Sequence, residues 1–383
     1  MSRRDDADLD VDVLLDDPQR RIVVCCGSGG VGKTTTAAAL ALRAAERGRR
    51  VVVLTIDPAR RLAQSLGLEH LDNTPRPVVG IDEAAGGSLE AMMLDMKRTF
   101  DEVVEAHTTP EKAEQILANP FYVALSSSFA GTQEYMAMEK LGQLRGQIAD
   151  GSREWDLIVV DTPPSRSALD FLDAPGRLGS FLDGRLIRML TAPAKVGGRA
   201  SMRVLGGAVG LASGVMAKVL GGDLLRDVQT FVAATDTMFG GFRERAEQTY
   251  ALLARDETAF LVVTSPDRDA AREAGYFIER LAADRMPPAG VVVNRVQTVR
   301  AARLGAGRAQ EAADRLAESG EHAVAEAVLR VHVRRAETAS RHRAMVRRFR
   351  TTHPGTPLTV VPAQQSDVHD LHGLRAVGSA LSS

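Results

Sequence analysis

The sequence has very little cysteine, no long apolar run and no excess of charge of either sign. Its two cysteines, Cys25 and Cys26, are neighbours, which excludes a disulfide framework and a four-cysteine zinc site. The uncharged, mostly apolar stretch from Val204 to Ala217 has fourteen residues, which falls short of the roughly 20 that span a bilayer as a helix. Because 48 basic side chains balance 49 acidic ones, the composition does not indicate nucleic-acid binding. We expect a globular protein of the reducing cytoplasm.

The N-terminal segment is strongly acidic. Aspartate occupies seven of the first seventeen positions, and the segment lacks the apolar stretch of a signal peptide. Runs of like charge repel one another and are commonly solvated. Residues 1–20 are therefore predicted to form a disordered acidic arm.

Six short apolar runs alternate with helical patterns along the rest of the chain. They are RIVVCC, RVVVLTID, WDLIVVD, AFLVVTS, GVVVNR and PLTVVP, which begin at Arg21, Arg50, Trp155, Ala259, Gly290 and Pro357. Fully apolar strands that are joined by helices form parallel sheets with both faces covered. The predicted fold class is therefore α/β, with a doubly wound and mostly parallel sheet.

Two stretches interrupt this alternation. Residues 96–148 are mostly helical in pattern, and residues 175–255 contain no strand candidate. We assign residues 21–174 and 256–383 to the core and residues 175–255 to a helical insertion subdomain.

The first apolar run leads into a glycine-rich loop. The stretch from Gly27 to Thr34 reads GSGGVGKT and matches the phosphate-loop pattern GxxxxGK[ST], between a strand and a helix as the pattern requires. Lys33 is expected to reach the β and γ phosphates, and the Thr34 hydroxyl to bind Mg²⁺. Positive φ at the glycines turns the loop N–H groups inward on the phosphates; the loop consists of Gly27, Ser28, Gly29, Gly30, Val31 and Gly32. The core is therefore predicted to be a P-loop NTPase.

Two aspartates end apolar strands near this loop in the predicted sheet. Asp57 ends RVVVLTID, the first apolar run after the P-loop helix. Asp161 ends WDLIVVD, where a Walker-B aspartate belongs. The carboxyl ends of parallel strands meet at one edge of a sheet, so both side chains are expected beside the phosphates. Lys33, Asp57 and Asp161 are the predicted catalytic residues.

Several motifs together resemble those of the ArsA and guided-entry ATPase family. GSGGVGKTT, which ends at Thr35, looks like its phosphate loop. TIDPARRLAQSLG, from Thr55 to Gly67, and DTPPSRSALDFL, from Asp161 to Leu172, look like its switch I and switch II. That family includes the arsenite-efflux ATPase and the cytosolic carrier of tail-anchored membrane proteins. The similarity spans roughly residues 21 to 375 and supports a P-loop NTPase with a helical insertion subdomain.

The resemblance implies a specific ligand and several residue roles. ATP would bind at Gly27 to Thr35 in a nucleotide-gated dimer, with Asp57 activating water and Asp161 holding Mg²⁺ through water. Asn294 would bond the adenine edge, and the loop after Pro362 would cover the base. Taken alone, Asn294 is equally compatible with a polar turn residue after a strand.

The sequence also departs from the family pattern. The family normally carries lysine at the second loop position, where it reaches the partner's phosphates across the dimer, but this chain has Ser28. Arg60, Arg61 or Arg166 could supply the missing charge as an arginine finger, or each could be a solvated surface residue. No CxxC pair and no third cysteine exist, so neither a zinc site nor a metalloid site is expected.

Three functions remain open at this level. The first is a Mg-dependent ATPase that moves a client or drives a membrane partner. The second is a weakly catalytic or non-catalytic regulatory subunit, paired with a paralogue that carries the loop lysine. The third, a MinD/ParA-type partitioning ATPase, is disfavoured because that group carries the same loop lysine and usually Asp-Pro-Gln in switch I.

Two segments of the sequence could bind a client or another partner. The apolar side chains of the insertion either form a groove for a client helix, as in the guided-entry proteins, or pack as an ordinary core. The stretch from Leu329 to Arg350 holds eight arginines and one glutamate on a helical pattern. It could dock on an acidic membrane surface or partner, or be a solvated helix face.

Overall fold

The computed structural model describes residues 8–57, 61–120, 122–123, 126, 132–163, 244–286, 288–301, 303–320 and 322–382. The chain divides into two compact units. Unit 1 contains the described residues of Met1–Met93, Asp150–Ala168 and Leu253–Ser383. Unit 2 contains the described residues of Leu94–Ala149 and Leu169–Leu252.

Unit 1 is built on one eight-stranded sheet. Its strands are β1 (Ile22–Gly27), β2 (Arg50–Thr55), β3 (Arg76–Pro77), β4 (Ser88–Met93), β5 (Leu157–Asp161), β6 (Thr258–Thr264), β7 (Gly290–Val296) and β8 (Leu358–Pro362). The spatial order is β3-β4-β2-β5-β1-β6-β7-β8. All neighbouring pairs are parallel except β3 and β4. The α/β class and the mostly parallel sheet are confirmed.

The six predicted strands all form, but β3 and β4 were missed. β4 has the sequence SLEAMM, in which the charged Glu90 interrupts the apolar pattern. Its carboxylate accepts a hydrogen bond of 3.1 Å from the indole nitrogen of Trp155, which satisfies the charge locally. β3 consists of two residues, one of them a proline, and is too short for a periodic signal.

Seven helices accompany this sheet in the described part of unit 1. With the unit 2 helices counted in chain order, they are α1 (Val11–Asp16), α2 (Lys33–Glu46), α3 (Arg61–Ser65), α7 (Arg268–Ala283), α8 (Ala306–Ser319), α9 (Ala323–Thr352) and α10 (Leu371–Leu381). The alanine-rich α2 is buried along most of its length and packs against α10. The predicted arginine-rich helix lies within α9 and packs against α8.

The described part of the N-terminal segment, residues 8–20, is ordered, so the prediction of a disordered arm is wrong for these residues. Helix α1 buries Val11 and Leu15, one turn apart on one face. The Asp12 carboxylate pairs with the Arg43 guanidinium of α2 at 2.6 Å, and this contact lowers the pKa of Asp12. The acidic run is therefore stabilised by arginines that are distant in sequence, which a local charge pattern cannot reveal.

Unit 2 is helical in its described part. It contains α4 (Met96–His107), α5 (Pro110–Leu117), α6 (Thr132–Ala149) and the helical residues 244–252. Ion pairs connect these helices: Lys140 with Glu102 at 2.9 Å, and Arg245 with Glu139 at 3.0 Å. Residues 94–149 thus belong to this unit and not to the core, unlike the predicted boundary. The predicted insertion lies outside the described residues up to position 243.

The order of the strands creates the site. β1 lies between β5 and β6, and β2 lies on the other side of β5. The loop after β1 and the ends of β2 and β5 therefore meet at the carboxyl edge of the sheet, where ligands bind in open α/β folds.

Candidate active site

The predicted phosphate loop connects β1 to α2. Gly27, Gly30 and Gly32 have φ values of 146°, 77° and 97°, whereas Gly29 has no positive φ, contrary to the prediction. Three left-handed positions are enough to close the turn. A Cβ atom on Gly27 would lie 2.0 Å from the carbonyl oxygen of Val263, so a side chain cannot be accommodated there.

The amino end of α2 is arranged to accept an anion. Gly32 is the N-cap of α2, and no side chain among the described residues caps the first turn. Lys33 is buried, and its Nζ donates a 2.9 Å hydrogen bond to the carbonyl oxygen of Ser28. Burial lowers the pKa of Lys33, while the negative charges of Asp161 and Asp57 act to raise it. Lys33 therefore lies where two carboxylates and the phosphate loop converge.

Asp161, at the end of β5, is completely buried. Its Oδ2 accepts hydrogen bonds from the hydroxyls of Thr34, at 2.7 Å, and Thr55, at 2.8 Å. Its Oδ1 has no hydrogen-bond partner within the described part of the chain. Burial raises the pKa of Asp161 to about 6, against the lowering effect of the bonds from Thr34 and Thr55.

The donor set at Asp161 fits Mg²⁺. The ion prefers oxygen ligands and is usually held by one or two carboxylates together with substrate phosphates. Thr34 and Asp161 offer a hydroxyl and a carboxylate within hydrogen-bonding distance of each other. The unpartnered buried Oδ1 is an acceptor that a cation or its water ligand would satisfy.

Asp57 lies two residues beyond β2 and is partly buried. Its backbone N–H donates to the Thr55 hydroxyl at 3.3 Å. Its charge also acts on Lys33 and on Asp161, raising the pKa of both. The two aspartates and the P-loop lysine are therefore electrostatically coupled, as a shared site requires.

Asn294 approaches the phosphate loop from β7. Its Nδ2 donates a 2.9 Å hydrogen bond to the carbonyl oxygen of Val31, and its Oδ1 accepts the backbone N–H of Arg295. A Cβ on Gly32 would lie 2.3 Å from this amide nitrogen. Asn294 thus supports the loop in this structure, and its bond to the adenine edge stays a prediction.

Two site residues were missed by sequence reasoning. Thr55 bonds Asp161, and the Nη1 of Arg295 donates a 2.9 Å hydrogen bond to the carbonyl oxygen of Gly30. Both lie at the carboxyl ends of apolar strands, β2 and β7, and that position was the available signal. A threonine or arginine at a strand end is too common to be singled out without the three-dimensional neighbours.

The remaining predicted site residues are Pro362 and Thr35. Pro362 is the last residue of β8, and the next residue, Ala363, donates its N–H to the carbonyl oxygen of Val296 at 3.0 Å. Thr35 lies in the first turn of α2. The role of the loop after Pro362 as a cover for the base stays a prediction.

A comparison with protein families identifies this arrangement. The family model described as anion-transporting ATPase matches residues 20–311, well over half of the chain. The chain belongs to the anion-transporting ATPase family. The matched region includes every predicted site residue except Pro362.

Two curated relatives of this chain match over shorter regions. The arsenical pump-driving ATPase of Acidiphilium multivorum is 30% identical over 147 residues, which cover 37% of this chain and 23% of that protein. Protein Rv2184c of Mycobacterium tuberculosis is 33% identical over 149 residues, covering 36% of this chain and 33% of that protein. The match thus spans about a quarter of the length of the first relative and a third of the length of the second.

This member of the anion-transporting ATPase family has Ser28 at the second loop position, and its side chain is buried. Of the three arginines considered as substitutes, Arg61 is the exposed first residue of α3. Arg60 and Arg166 lie outside the described residues. Within the described ranges, no helix is both long and apolar enough to cross a membrane.

Proposed function

We propose that the protein is a Mg-dependent ATPase that hydrolyses ATP in a nucleotide-gated dimer and thereby drives the transport or targeting of a client. Membership of the anion-transporting ATPase family supports ATP as the nucleotide. The observation that carries the proposal is the buried Asp161 carboxylate, bonded to Thr34 and Thr55 and with Oδ1 unpartnered among the described residues.

Each residue has a chemical task in this proposal. Lys33 would neutralise the β and γ phosphates once it leaves the Ser28 carbonyl, and Thr34 and Asp161 would hold Mg²⁺. When bound, Mg²⁺ supplies positive charge against the charge that develops on the transferred phosphoryl group. Asp57 would accept a proton from the attacking water, which requires its carboxylate to be ionised.

Turnover of ATP by the purified chain tests this function. We expect hydrolysis that depends on Mg²⁺ and is abolished by EDTA, and we expect Lys33→Ala to lose ATP binding in calorimetry. Unchanged ATP affinity in Lys33→Ala would contradict the P-loop assignment. A wild-type chain that binds ATP but never hydrolyses it, alone or with a paralogue, would contradict the ATPase function.

Ser28 favours one alternative. A neutral, buried side chain cannot supply the charge that the loop lysine gives in the family, so two copies of this chain would lack bridging cations from that position. In the second proposal the chain is a regulatory subunit of a hetero-oligomer with a lysine-bearing paralogue. ATP turnover that appears only after the paralogue is added would favour this alternative.

The client and the site of action belong to the same proposal. We propose a cytoplasmic location, and a membrane protein or membrane partner as the client. The exposed arginines of α9 carry the positive charge that an acidic partner surface would pair with. Sedimentation with anionic lipid vesicles, in the presence and absence of ATP, tests the membrane partner.

A further inference from the structure

Two consecutive residues of β7 bond two consecutive carbonyls of the phosphate loop. Asn294 donates to the carbonyl oxygen of Val31 and Arg295 donates to that of Gly30, each at 2.9 Å. Asn294 is buried, whereas the Arg295 side chain is exposed. A phosphate loop binds through its N–H groups, so its carbonyl groups have to point away from the ligand. The two donors hold these carbonyls on the outer side of the loop.

The backbone at Arg295 is unusual. Its φ is 59°, and Arg285, at 60°, is the other non-glycine residue with a positive φ among those described. The pairing of β7 with β8 changes register between Val293 and Val296, so the strand is irregular where Asn294 and Arg295 lie. An arginine with a left-handed backbone conformation costs conformational free energy. Such residues concentrate at sites where function requires that backbone geometry.

We propose that Arg295 is a positioning residue for the nucleotide: its guanidinium holds the Gly30 carbonyl outward, so that the loop N–H groups face the phosphates before ATP binds. The inference rests on the proposed function and adds a residue to it. A hydrogen bond from a charged donor is stronger than a neutral one, and an organised loop loses less entropy on binding. The positive charge beside the loop also attracts phosphate.

Three substitutions separate the guanidinium from the backbone. Arg295→Ala removes the donor and keeps a residue with a Cβ, whereas Arg295→Gly removes the donor and relieves the backbone strain. Arg295→Lys keeps a charged donor. The matched control is Arg285→Ala, because Arg285 is likewise exposed, has a positive φ and follows a helix remote in sequence from the loop.

Calorimetry with Mg-ATP should show roughly tenfold weaker binding for Arg295→Ala and Arg295→Gly, which equals about 1.4 kcal/mol. Arg295→Lys should stay within about threefold of wild type, and Arg285→Ala should be unchanged. Amide hydrogen exchange in the nucleotide-free protein should be faster at residues 28–32 in Arg295→Ala and unchanged in the strands β1 and β6. This second readout does not depend on ATP.

Several outcomes would overturn the inference. Wild-type affinity and wild-type exchange in Arg295→Ala would do so directly. Restored affinity in Arg295→Gly would assign the effect to the backbone and not to the guanidinium. Faster exchange throughout β7 and β8 would indicate a general structural role. If the wild-type chain does not bind ATP, the proposed function fails, while loop exchange still decides the role of Arg295.

Discussion

Thr55 and Asp161 are the last residues of two neighbouring parallel strands and lie in register with each other. The Thr55 hydroxyl donates a 2.8 Å hydrogen bond to Oδ2 of Asp161, the same oxygen that accepts the Thr34 hydroxyl. The carboxylate is therefore fixed from the strand side and from the P-loop helix, and Oδ1 is left for another ligand. Thr55 also bonds the backbone N–H of Asp57, so it connects the two acidic residues.

Thr55→Val should weaken Mg-dependent ATP binding or turnover about tenfold. The substitution keeps the shape of the side chain but removes a hydrogen bond to a charged group, which is worth roughly 1.5–3 kcal/mol. Thr55→Ser should retain most of the activity because it keeps the hydroxyl. Steady-state kinetics over a Mg²⁺ titration provides the measurement.

Thr359→Val is the matched control for this substitution. Thr359 is also a buried threonine, in strand β8. Its hydroxyl donates a 3.3 Å hydrogen bond to the carbonyl oxygen of Leu381. We expect its substitution to affect stability and leave the Mg²⁺ dependence unchanged. Equal Mg²⁺ dependence in Thr55→Val and wild type would show that Thr55 does not orient the metal ligand.

The sequence alone was enough to predict the residues whose roles depend on a local motif. The phosphate loop, Lys33 and Thr34 follow from one continuous pattern, and Asp161 follows from its position after an apolar strand. Thr55 was not identifiable, because its role arises only when β5 inserts beside β2, about a hundred residues later in the chain. Arg295 was missed for the same reason, because its partner Gly30 lies in the loop between β1 and α2, far from Arg295 in sequence.

The missed elements of the fold have a related cause. Helix α1 was obscured by its charge, because the arginines that pair with Asp12 and Asp16 are Arg43 in α2 and Arg47 at its C-cap. The boundary of unit 2 depends on packing between α4 and α6, which no composition change marks in the sequence. Contacts between distant segments, and not local propensity, decided both cases.

Asp57→Asn should preserve ATP affinity and lower turnover by roughly a hundredfold or more, as expected when a general base is removed. An amide cannot accept the proton of the attacking water, but it perturbs ground-state binding of the nucleotide very little. Asp82→Asn, at an exposed loop aspartate of the same unit, is the control. If the Asp57→Asn enzyme hydrolyses ATP at the wild-type rate, another residue activates the water.

His342 predicts a pH dependence of stability. Its Nδ1 accepts the backbone N–H of Gln297 at 3.1 Å, which requires an unprotonated nitrogen. Burial and the positive charge of Arg341 lower the pKa of His342 from 6.5, while the charge of Asp267 opposes this shift. A histidine whose pKa is lower in the folded state stabilises the fold fully above pH 6.5. This contribution is lost as the pH falls from 6.5 through the folded-state pKa.

Denaturant unfolding at pH 7.5, 6.5 and 5.5 measures this effect. His342→Asn keeps an acceptor but does not titrate, so its free energy of unfolding should fall less on acidification than that of wild type. His369→Asn, at an exposed histidine near the C-terminus, should follow the wild-type curve. Parallel curves for His342→Asn and wild type would exclude His342 as the titrating group.

Ser28 determines the last prediction, which concerns the partner. An ATP-bound dimer with the family's arrangement would bring two phosphate clusters close together, each with about four negative charges. At an effective dielectric of 20, one pair of unit charges 4 Å apart contributes about 4 kcal/mol of repulsion. A paralogue with lysine at the loop position would offset part of this repulsion. The heterodimer is then the more stable ATP-bound form, unless Arg60, Arg61 or Arg166 provides the charge.

Ser28→Lys should therefore strengthen self-association of this chain in the presence of Mg²⁺ and a non-hydrolysable ATP analogue. Light scattering or analytical ultracentrifugation would show a dimer at concentrations where wild type is monomeric. Ser28→Gln is the control, since it adds a long polar side chain without the charge. If wild type is already a tight homodimer with the analogue and Ser28→Lys is no tighter, the lysine-bearing partner is rejected. The arginines then become the residues to test, and Arg61→Ala, at the exposed start of α3, should be made first.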